Sequence, residues 1–543
     1  MCVLLNLQTR TDSFLLALHE MIESANIESF EKELPSQYAD RLGVYYTKQV
    51  SPKHKKENGQ FFTPTPIAHL MASYCNSKSD HLRILDPGCG TAVLSCALIE
   101  HLTEQNHSID SIELVAYETD PNLILFSQKA LCYLEIWLKN KAIKFKYLLH
   151  VKDFILDNAH VLRSPILFQD NFDIIISNPP YFKLSKEDEK TIAAKELVSG
   201  QPNIYSIFMG VASKLLNTNG ELIFITPRSF ASGNYFKAFR ELFFNTVQIE
   251  RIHLFNSRKE TFNRDSVLQE TVIVKAINEK IDTSKKVNVS SSFGIKDIYE
   301  PTTRYFNSSE LIDLTSKEKI LHLPTNDKEE IVLDLVTSWE NNLANYDIQI
   351  STGPVVSFRS WDFIQNIYEN GTVYLAPLFW LHNVNKMSLE WPIMIKDKGQ
   401  YIKIEADSKS LLIPNKNYIL LRRFSTKDDK SRLIAAPYFC NYAKSNYIGV
   451  ENKVNYIYRK KGHLERSEVA GLCALLNSEL FDTYFQIFNG NVNVSATELR
   501  EMRFPPVNNI KEIGNKVILS NDYSMENVNR IVNEYFNLEV ILK

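Results

Sequence analysis

Apolar and polar positions follow different rhythms along this chain, and the changes of rhythm divide it. Residues 1–45 carry an amphipathic helical pattern (FLLALHEMIESANIESFEKEL), and 48–60, KQVSPKHKKENGQ, are basic and polar, as in a mobile loop. From about 61 to 276, short β-like runs alternate with helical stretches. The runs are Leu82–Leu85, Glu113–Tyr117, Tyr147–Val151, Phe172–Ser177 and Leu222–Thr226, with helices such as Pro121–Lys139 and Asn203–Leu216 between them. That alternation predicts an α/β domain, a largely parallel sheet with helices on both faces. Two further runs, Glu250–Phe255 and Val267–Lys275, have only a loop between them and predict an antiparallel hairpin at the sheet edge. Residues 277–350 are polar and mixed. Residues 350–505, with many Tyr, Trp, Phe and Asn and short strands, read as a second domain, and no internal repeat is evident. The expected division is a helical extension at 1–45, an α/β domain at 46–280, a connection at 281–349, an α+β domain at 350–510 and a C-terminal segment at 511–543.

Composition refines this only slightly. The 543 residues exceed what one core organises, and 44% apolar with 23% charged residues is ordinary for a soluble globular protein. The net charge of −3 does not mark a nucleic-acid binder, so any basic groove is local. Seven cysteines, an odd number with no metal-ligand spacing, argue for a reducing intracellular setting and against structural zinc. With no apolar run of transmembrane length and no secretory leader, a cytoplasmic location is expected.

The chemistry gathers at strand ends. The first run ends in RILDPGCGTAVLSCAL, where glycines between strand and helix allow a tight turn and close approach to a ligand. In an open parallel sheet, ligands bind at the carboxyl ends of the strands. The stretch is not GxGxxG, and a plain strand-to-helix turn is the ordinary alternative. Glu118, at the end of the second run, can accept from two vicinal ribose hydroxyls; a solvated loop acid is its alternative. In HVKDFIL, Asp153 can accept from an exocyclic amine and Phe154 can pack on a purine face, a weak signal alone. The fourth run ends in NFDIIISNPPYF. Pro179 and Pro180 fix φ and lack an N–H, so they form a rigid turn that can aim Asn178 and the Pro179 carbonyl at one point. Two acceptors suit one NH2 group. An adenine amine is a poor nucleophile because its lone pair is delocalised, and hydrogen bonds to both N–H groups favour a pyramidal nitrogen. Tyr181 offers a flat face, and base–aromatic stacking is worth roughly 1–3 kcal/mol.

Together these motifs resemble the DNA adenine-N6 methyltransferases of restriction–modification systems, in the gamma order of the TaqI-type enzymes. The resemblance covers 59–276 most closely, and blocks such as QPNIYSIFM, NYILLRRFSTKDDKSRLIAAPYF and LLNSELFDTYFQIFNGNVNVSATELR extend it over most of the chain. It implies a Rossmann-like domain that binds S-adenosylmethionine, followed by a target-recognition domain. GQFFTPTPIAHLM resembles the FTP element, placing Thr63 near the methionine part of the cofactor. DPGCGTA resembles the cofactor loop, with Asp86, Gly88 and Gly90 in matching places; Ala92 stands where Gly is frequent, and Gly88 where Ala or Ser is usual. Glu118 matches the ribose acid, Asp153 and Phe154 the adenine-binding pair, and Asn178, Pro179, Pro180 and Tyr181 the NPPY motif. Phe262 falls where the family places an aromatic against the other face of the flipped base; Phe255 is the alternative, and core packing is the ordinary reading of either.

The implied reaction moves a methyl group from S-adenosylmethionine to an adenine flipped out of a short duplex DNA sequence, without metal, in a monomer paired functionally with a restriction endonuclease. For 350–510 the candidate DNA contacts are Arg422, Arg423 and Lys427 in one cluster and Arg459, Lys460 and Lys461 in another, near Tyr438, Asn441 and Tyr442, with solvated faces as the alternative. The runner-up acceptors for an NPPY pocket are RNA adenine and protein glutamine. An idle DNA-binding module is a further reading, disfavoured by the intact NPPY and Glu118.

Overall fold

A computed structural model describes residues 27–51, 53–54, 59, 62–163, 171–256, 270–366, 374–425, 431–489 and 494–538. Two compact units divide the chain. One runs up to Ala231 and resumes at Tyr235–Leu321; the other takes Ser232–Asn234 and everything from His322.

The first unit is built on a nine-stranded sheet of order β3-β2-β1-β4-β5-β7-β6-β8-β9. Its strands are β1 His81–Asp86, β2 Ser111–Tyr117, β3 Lys144–His150, β4 Phe172–Ser177, β5 Leu216–Pro227, β6 Gln248–Phe255, β7 Thr271–Ile277, β8 Lys286–Ser292 and β9 Thr302–Asn307. The first five are parallel. Ile174, Ile175 and Ile176 of β4 are fully buried, which explains an unbroken apolar run where an alternating strand would face water on one side. Edge strand β3 alternates exposed and part-buried positions, as its KFKYLLH pattern requires. The registers Asp86 beside Ala116, Tyr117 beside His150 and Leu85 beside Ile175 bring the loops after β1 to β4 to one rim.

Helices cover this sheet: α1 Pro35–Gln49, α2 Thr65–Ala72, α3 Val93–Gln105, α4 Pro121–Lys139, α5 Phe154–Asn158, α6 Glu189–Ala193, α7 Ile204–Ser213 and α8 Lys237–Thr246. Helix α1 belongs to this core. It buries Tyr38, Ala39, Leu42 and Tyr46, and Ser36 donates its N–H and hydroxyl to the buried Glu100 of α3 at 2.6 and 2.7 Å.

The antiparallel pair β6/β7 forms as expected but does not end the sheet. β7 inserts between β5 and β6, and β8 and β9 continue beyond β6. β7 is buried on both faces, which suits an interior position. The polar 277–350 stretch thus supplies two strands as well as a connection. Its β8 serines are buried because Ser290 and Ser292 hydrogen-bond the two ring nitrogens of His253 at 2.9 and 3.0 Å. Burial, with Arg251 assisting against Asp297, pushes that imidazole down to about 4, so it is neutral at pH 7.

The second unit is α+β. One sheet has the order β10-β18-β15-β16, from Ile348–Thr352, Val454–Arg459, Tyr418–Arg422 and Ala435–Tyr438. The other has the order β11-β13-β12-β17-β14, from Ile364–Gln365, Tyr401–Lys403, Leu375–Phe379, Tyr447–Val450 and Leu412–Pro414. Helices α9 Asp327–Thr337, α10 Arg466–Asn477, α11 Glu479–Phe488, α12 Ala496–Glu501, α13 Val507–Ser520 and α14 Met525–Phe536 complete it. Glycines let α10 and α13 meet backbone to backbone: a Cβ on Gly471 would stand 1.9 Å from the Ile510 carbonyl, and one on Gly514 1.9 Å from that of Ser467. Among the described residues, no helix is long and apolar enough to cross a membrane.

Candidate active site

After β1 the chain turns through Pro87–Ala92 into α3. Gly90 and Ala92 take φ +53° and +65°, the left-handed region that glycine enters freely and alanine enters with strain. The Cys89 N–H donates to the Tyr117 carbonyl at 2.9 Å, which ties the loop to the end of β2. An alanine would fit at Gly88, since its Cβ would make an ordinary 3.6 Å contact with Phe208. Asp86 is fully buried beneath the loop. Burial pushes its carboxyl up to about 7, opposed by the Ser95 hydroxyl at 2.7 Å and the Gly88 amide.

Glu118 follows β2. Its Oε1 accepts from the amides of Thr119 and Asp120 at 2.8 Å each, and its Oε2 accepts from Gly90 at 3.2 Å. Burial pushes this carboxyl up to about 7 against the pull of those three amides. The amides fix its orientation. Asp120 caps α4 and is held by the Tyr46 hydroxyl at 2.5 Å and His54 Nε2 at 2.9 Å.

Asp153 follows β3 and caps α5 by accepting from the Leu156 amide at 3.0 Å. Its Oδ2 lies 3.5 Å from the ammonium of Lys190, which stands on α6 beyond the NPPYF turn. Phe154 is buried, edge-on to Tyr117 at 5.4 Å and tilted against Phe208 at 5.2 Å.

Asn178 follows β4. Its Nδ2 donates to Thr63 Oγ1 at 3.0 Å, and its Oδ1 accepts from the Tyr181 hydroxyl at 2.5 Å. That hydroxyl also lies 3.0 Å from the Ile225 carbonyl, and the Tyr181 ring stands edge-on to Tyr205. Gly59, at φ +59°, closes onto this turn; a Cβ there would meet Phe182 at 2.7 Å and the Tyr181 amide at 3.0 Å.

These elements surround one cavity of about 270 Å³, lined among others by Gly88, Gly90, Glu118, Asp153, Phe154, Lys190, Asn178, Pro180, Phe182 and Phe208. An S-adenosylmethionine fits this donor set. An oriented carboxylate suits a diol, an aromatic wall with an acid at its edge suits an aminopurine, and an amide oxygen stands at the far end. Thr63, Gly88, Gly90, Glu118, Asp153, Phe154, Asn178, Pro179 and Pro180 are thus brought to one rim, with Asp86 below it. Thr63 buttresses Asn178 directly. Tyr181 braces the amide with its hydroxyl, while Phe182 and Phe208 supply the aromatic lining. Lys190 was hidden in the charge run KEDEK, which reads as a solvated face; its only sequence signal is closeness to NPPY.

Phe262 and Lys427 lie outside the described residues. Phe255 is buried in the core against His253, 4.7 Å between ring centres, which is core packing. In the second unit Arg422 donates to the Val384 carbonyl at 2.6 Å and Asn385 Oδ1 at 2.9 Å. Arg459 donates to the Tyr346 carbonyl at 3.0 Å and pairs with the buried Glu468 at 2.7 Å. Arg423 donates to the Asn452 carbonyl at 3.1 Å, Tyr438 is buried, and Lys460 and Lys461 are exposed.

A Rossmann-like sheet with a glycine turn after its first strand, an acid after its second and Asn-Pro-Pro-Tyr after its fourth defines an S-adenosylmethionine-dependent methyltransferase fold. The DrdV–DNA complex, solved by cryo-electron microscopy, shares the fold with a TM-score of 0.50 and 13% identity, over 92% of this chain and 61% of that one. The Eco57I restriction-modification methylase family matches residues 101–262. Type II methyltransferase M.PstI of Providencia stuartii is 30% identical over 481 residues, 88% of this chain and 93% of that protein. Type II methyltransferase M.BsuBI of Bacillus subtilis is 32% identical over 486 residues, again 88% and 93%. The chain belongs to the type II restriction–modification methyltransferases.

Proposed function

We propose that this protein methylates the exocyclic N6 of an adenine within a short duplex DNA sequence and so protects that sequence from a cognate restriction endonuclease. The observation that carries the reading is the Asn178 amide, clamped by Thr63 and Tyr181 at the wall of the cavity that holds Glu118 and Phe154. Bound S-adenosylmethionine would supply a methyl group made electrophilic by its sulfonium. Glu118 would accept from the ribose hydroxyls, Asp153 from the adenine amine of the cofactor, and Phe154 would cover its purine face.

Within the chain, Thr63 and Tyr181 fix the plane of the Asn178 amide before any substrate arrives. The acceptor amine would donate one N–H to Asn178 Oδ1 and the other N–H to the Pro179 carbonyl. These contacts favour a pyramidal nitrogen whose lone pair faces the methyl group. A base without the amine would forgo both contacts, which selects against it. Because the methyl is already activated, positioning supplies much of the rate. The second unit would act as the target-recognition domain. Arg422 and Arg459 each commit two bonds to its own fold and Arg423 one, so Lys460 and Lys461, and after them Arg423, are the better candidates for phosphate contacts among the described residues.

Expression in a methylation-deficient bacterial host, followed by sequencing of native DNA for modified bases, tests this reading. N6-methyladenine at one short motif is expected. Unmodified DNA alongside soluble protein that binds S-adenosylmethionine would overturn it in favour of an RNA or protein-glutamine acceptor.

A further inference from the structure

One corner of the second unit displays aromatic rings that its fold does not use. Phe358 is 70% exposed and Trp361 50%, three positions apart. They do not sit on a loose strand. Two consecutive 3-10 turns, Ser357–Arg359 and Trp361–Phe363, carry them, closed by the amides of Arg359, Ser360 and Phe363. Ser360 between the rings is buried, so the backbone is anchored while both rings point outward.

The anchor continues below. Gly353 presses on the turn after β17 so closely that a Cβ would stand 2.2 Å from the Glu451 carbonyl. Asn452 donates its amide to the Val355 carbonyl at 2.8 Å, and Arg423 donates its amide to the Lys453 carbonyl at 2.9 Å. The turn at 451–453 therefore bonds both to Val355, three residues before Phe358, and to Arg423. The same corner carries cations. The Arg359 guanidinium lies 5.2 Å from the Phe358 ring centre; Arg423, which gives one N–H to the Asn452 carbonyl, lies 5.8 Å from that of Phe424; and the half-exposed Lys453 lies 3.8 Å from Glu451. Asp362 is the exposed acid of the segment, while Glu451 is buried and accepts from the Leu381 amide. Flat apolar faces interleaved with cations complement a polyanion that carries stacked flat bases.

Resting on the reading of this chain as a DNA methyltransferase, we propose that Phe358 and Trp361 form an aromatic wedge that stacks on bases of the duplex substrate and offsets the stacking lost when the target adenine leaves the helix, with Arg359 and Arg423 on the adjoining phosphates. Extruding a base breaks its stacking, least so for a mismatched base, and aromatic side chains inserted at a base step replace that contact.

The probe is a synthetic duplex bearing the motif at which methylation maps in the bacterial host, compared with the same duplex mismatched opposite the target adenine. The double variant Phe358→Ala/Trp361→Ala should lose roughly 10- to 100-fold in kcat/KM on the matched duplex, the range expected for removed base–aromatic stacking. It should keep the parental melting temperature and Kd for S-adenosylmethionine, and recover most of its rate on the mismatched duplex. Trp361→Phe, which keeps a flat ring, should stay near the parent. If the alanine pair does not fold, Phe358→Leu/Trp361→Leu keeps apolar bulk without the flat face and gives the same readout. Rates within twofold of the parent, or an equal loss on both duplexes, would overturn the wedge while leaving the functional reading intact. A parent protein that methylates no DNA would overturn both.

Discussion

The rim of the first sheet and the surface of the second unit place polar side chains in opposite ways. At the rim, backbone amides orient the two carboxylates, Glu118 by three and Asp153 at the start of α5, while Asn178, before a two-proline turn, is clamped by the Thr63 and Tyr181 side chains. In the second unit, Arg422 and Arg459 are oriented by their own neighbours and hold that unit together. Chemistry that depends on where a strand ends is built into the chain's geometry. Chemistry that depends on which cation faces outward is decided by packing.

The largest expected break in this contrast is at Asn178. Asn178→Ala should lower methyl transfer about 10³-fold or more, the scale seen when one preorganised polar group is removed from a reacting centre, while the Kd for S-adenosylmethionine by calorimetry changes less than about threefold. Parallel loss of cofactor binding would contradict its assignment to the acceptor side. Next comes Gly514→Ala, which puts a Cβ into the Ser467 carbonyl at the α10/α13 contact. Overpacking of that kind costs roughly 1–3 kcal/mol, so thermal or urea unfolding should show an early transition of the second unit. An unchanged midpoint would mean that the two helices separate without penalty.

Glu118 sharpens the contrast through pH. Its folded-state pKa, raised to about 7 by burial, lies above the value of 4.5 for a free Glu. The stability this raised pKa contributes is therefore present below about pH 4.5 and is lost as pH rises through about 7. Cofactor binding to the carboxylate should run the other way, with Kd for S-adenosylmethionine tightening between pH 6 and 8 by up to about tenfold per unit below the pKa. Glu118→Gln should flatten the Glu118 part of both trends, leaving any part due to Asp86, whose pKa is raised similarly. A variant that keeps the full pH dependence of binding would move the titration to another group.

A smaller effect separates the two kinds of cation. Arg459→Ala, by leaving the buried Glu468 to the more distant Lys511 ammonium at 3.7 Å, should lower the unfolding midpoint and leave the salt dependence of DNA binding unchanged. Lys460→Ala should do the reverse, reducing the slope of log K against log salt by about 0.9. The reverse pattern would show that the ion pair opens on DNA. The smallest effect is at Ala92, strained at φ +65°. Ala92→Gly should raise stability by about 0.5–1 kcal/mol in chemical denaturation, and a loss would mean that its methyl packing outweighs the strain.

The same contrast sets what was legible in the sequence. The five parallel strands, the rim and the residues on it could be read because glycine, proline and unbroken apolar runs encode backbone paths. The outer strands β8 and β9 could not, since the buried serines of β8 look like linker until His253 is known to pair with them and β9 is polar and mostly exposed in whole or part. Lys190 was invisible for a related reason: a lysine in a charge run becomes a cavity residue only when α6 folds back to bring it within 3.5 Å of Asp153. The second unit showed its aromatic richness but not which rings face out, because Tyr438 and Trp361 are equivalent letters until packing buries one and exposes the other.

The central claim is that the Asn178 turn presents an adenine amine for methylation. The most direct measurement incubates purified protein with S-adenosylmethionine and DNA from a methylation-deficient host, digests the DNA to nucleosides and identifies the product by mass spectrometry. N6-methyldeoxyadenosine, absent with Asn178→Ala, is the predicted result; N4-methyldeoxycytidine, or no methylated nucleoside at all, would contradict it.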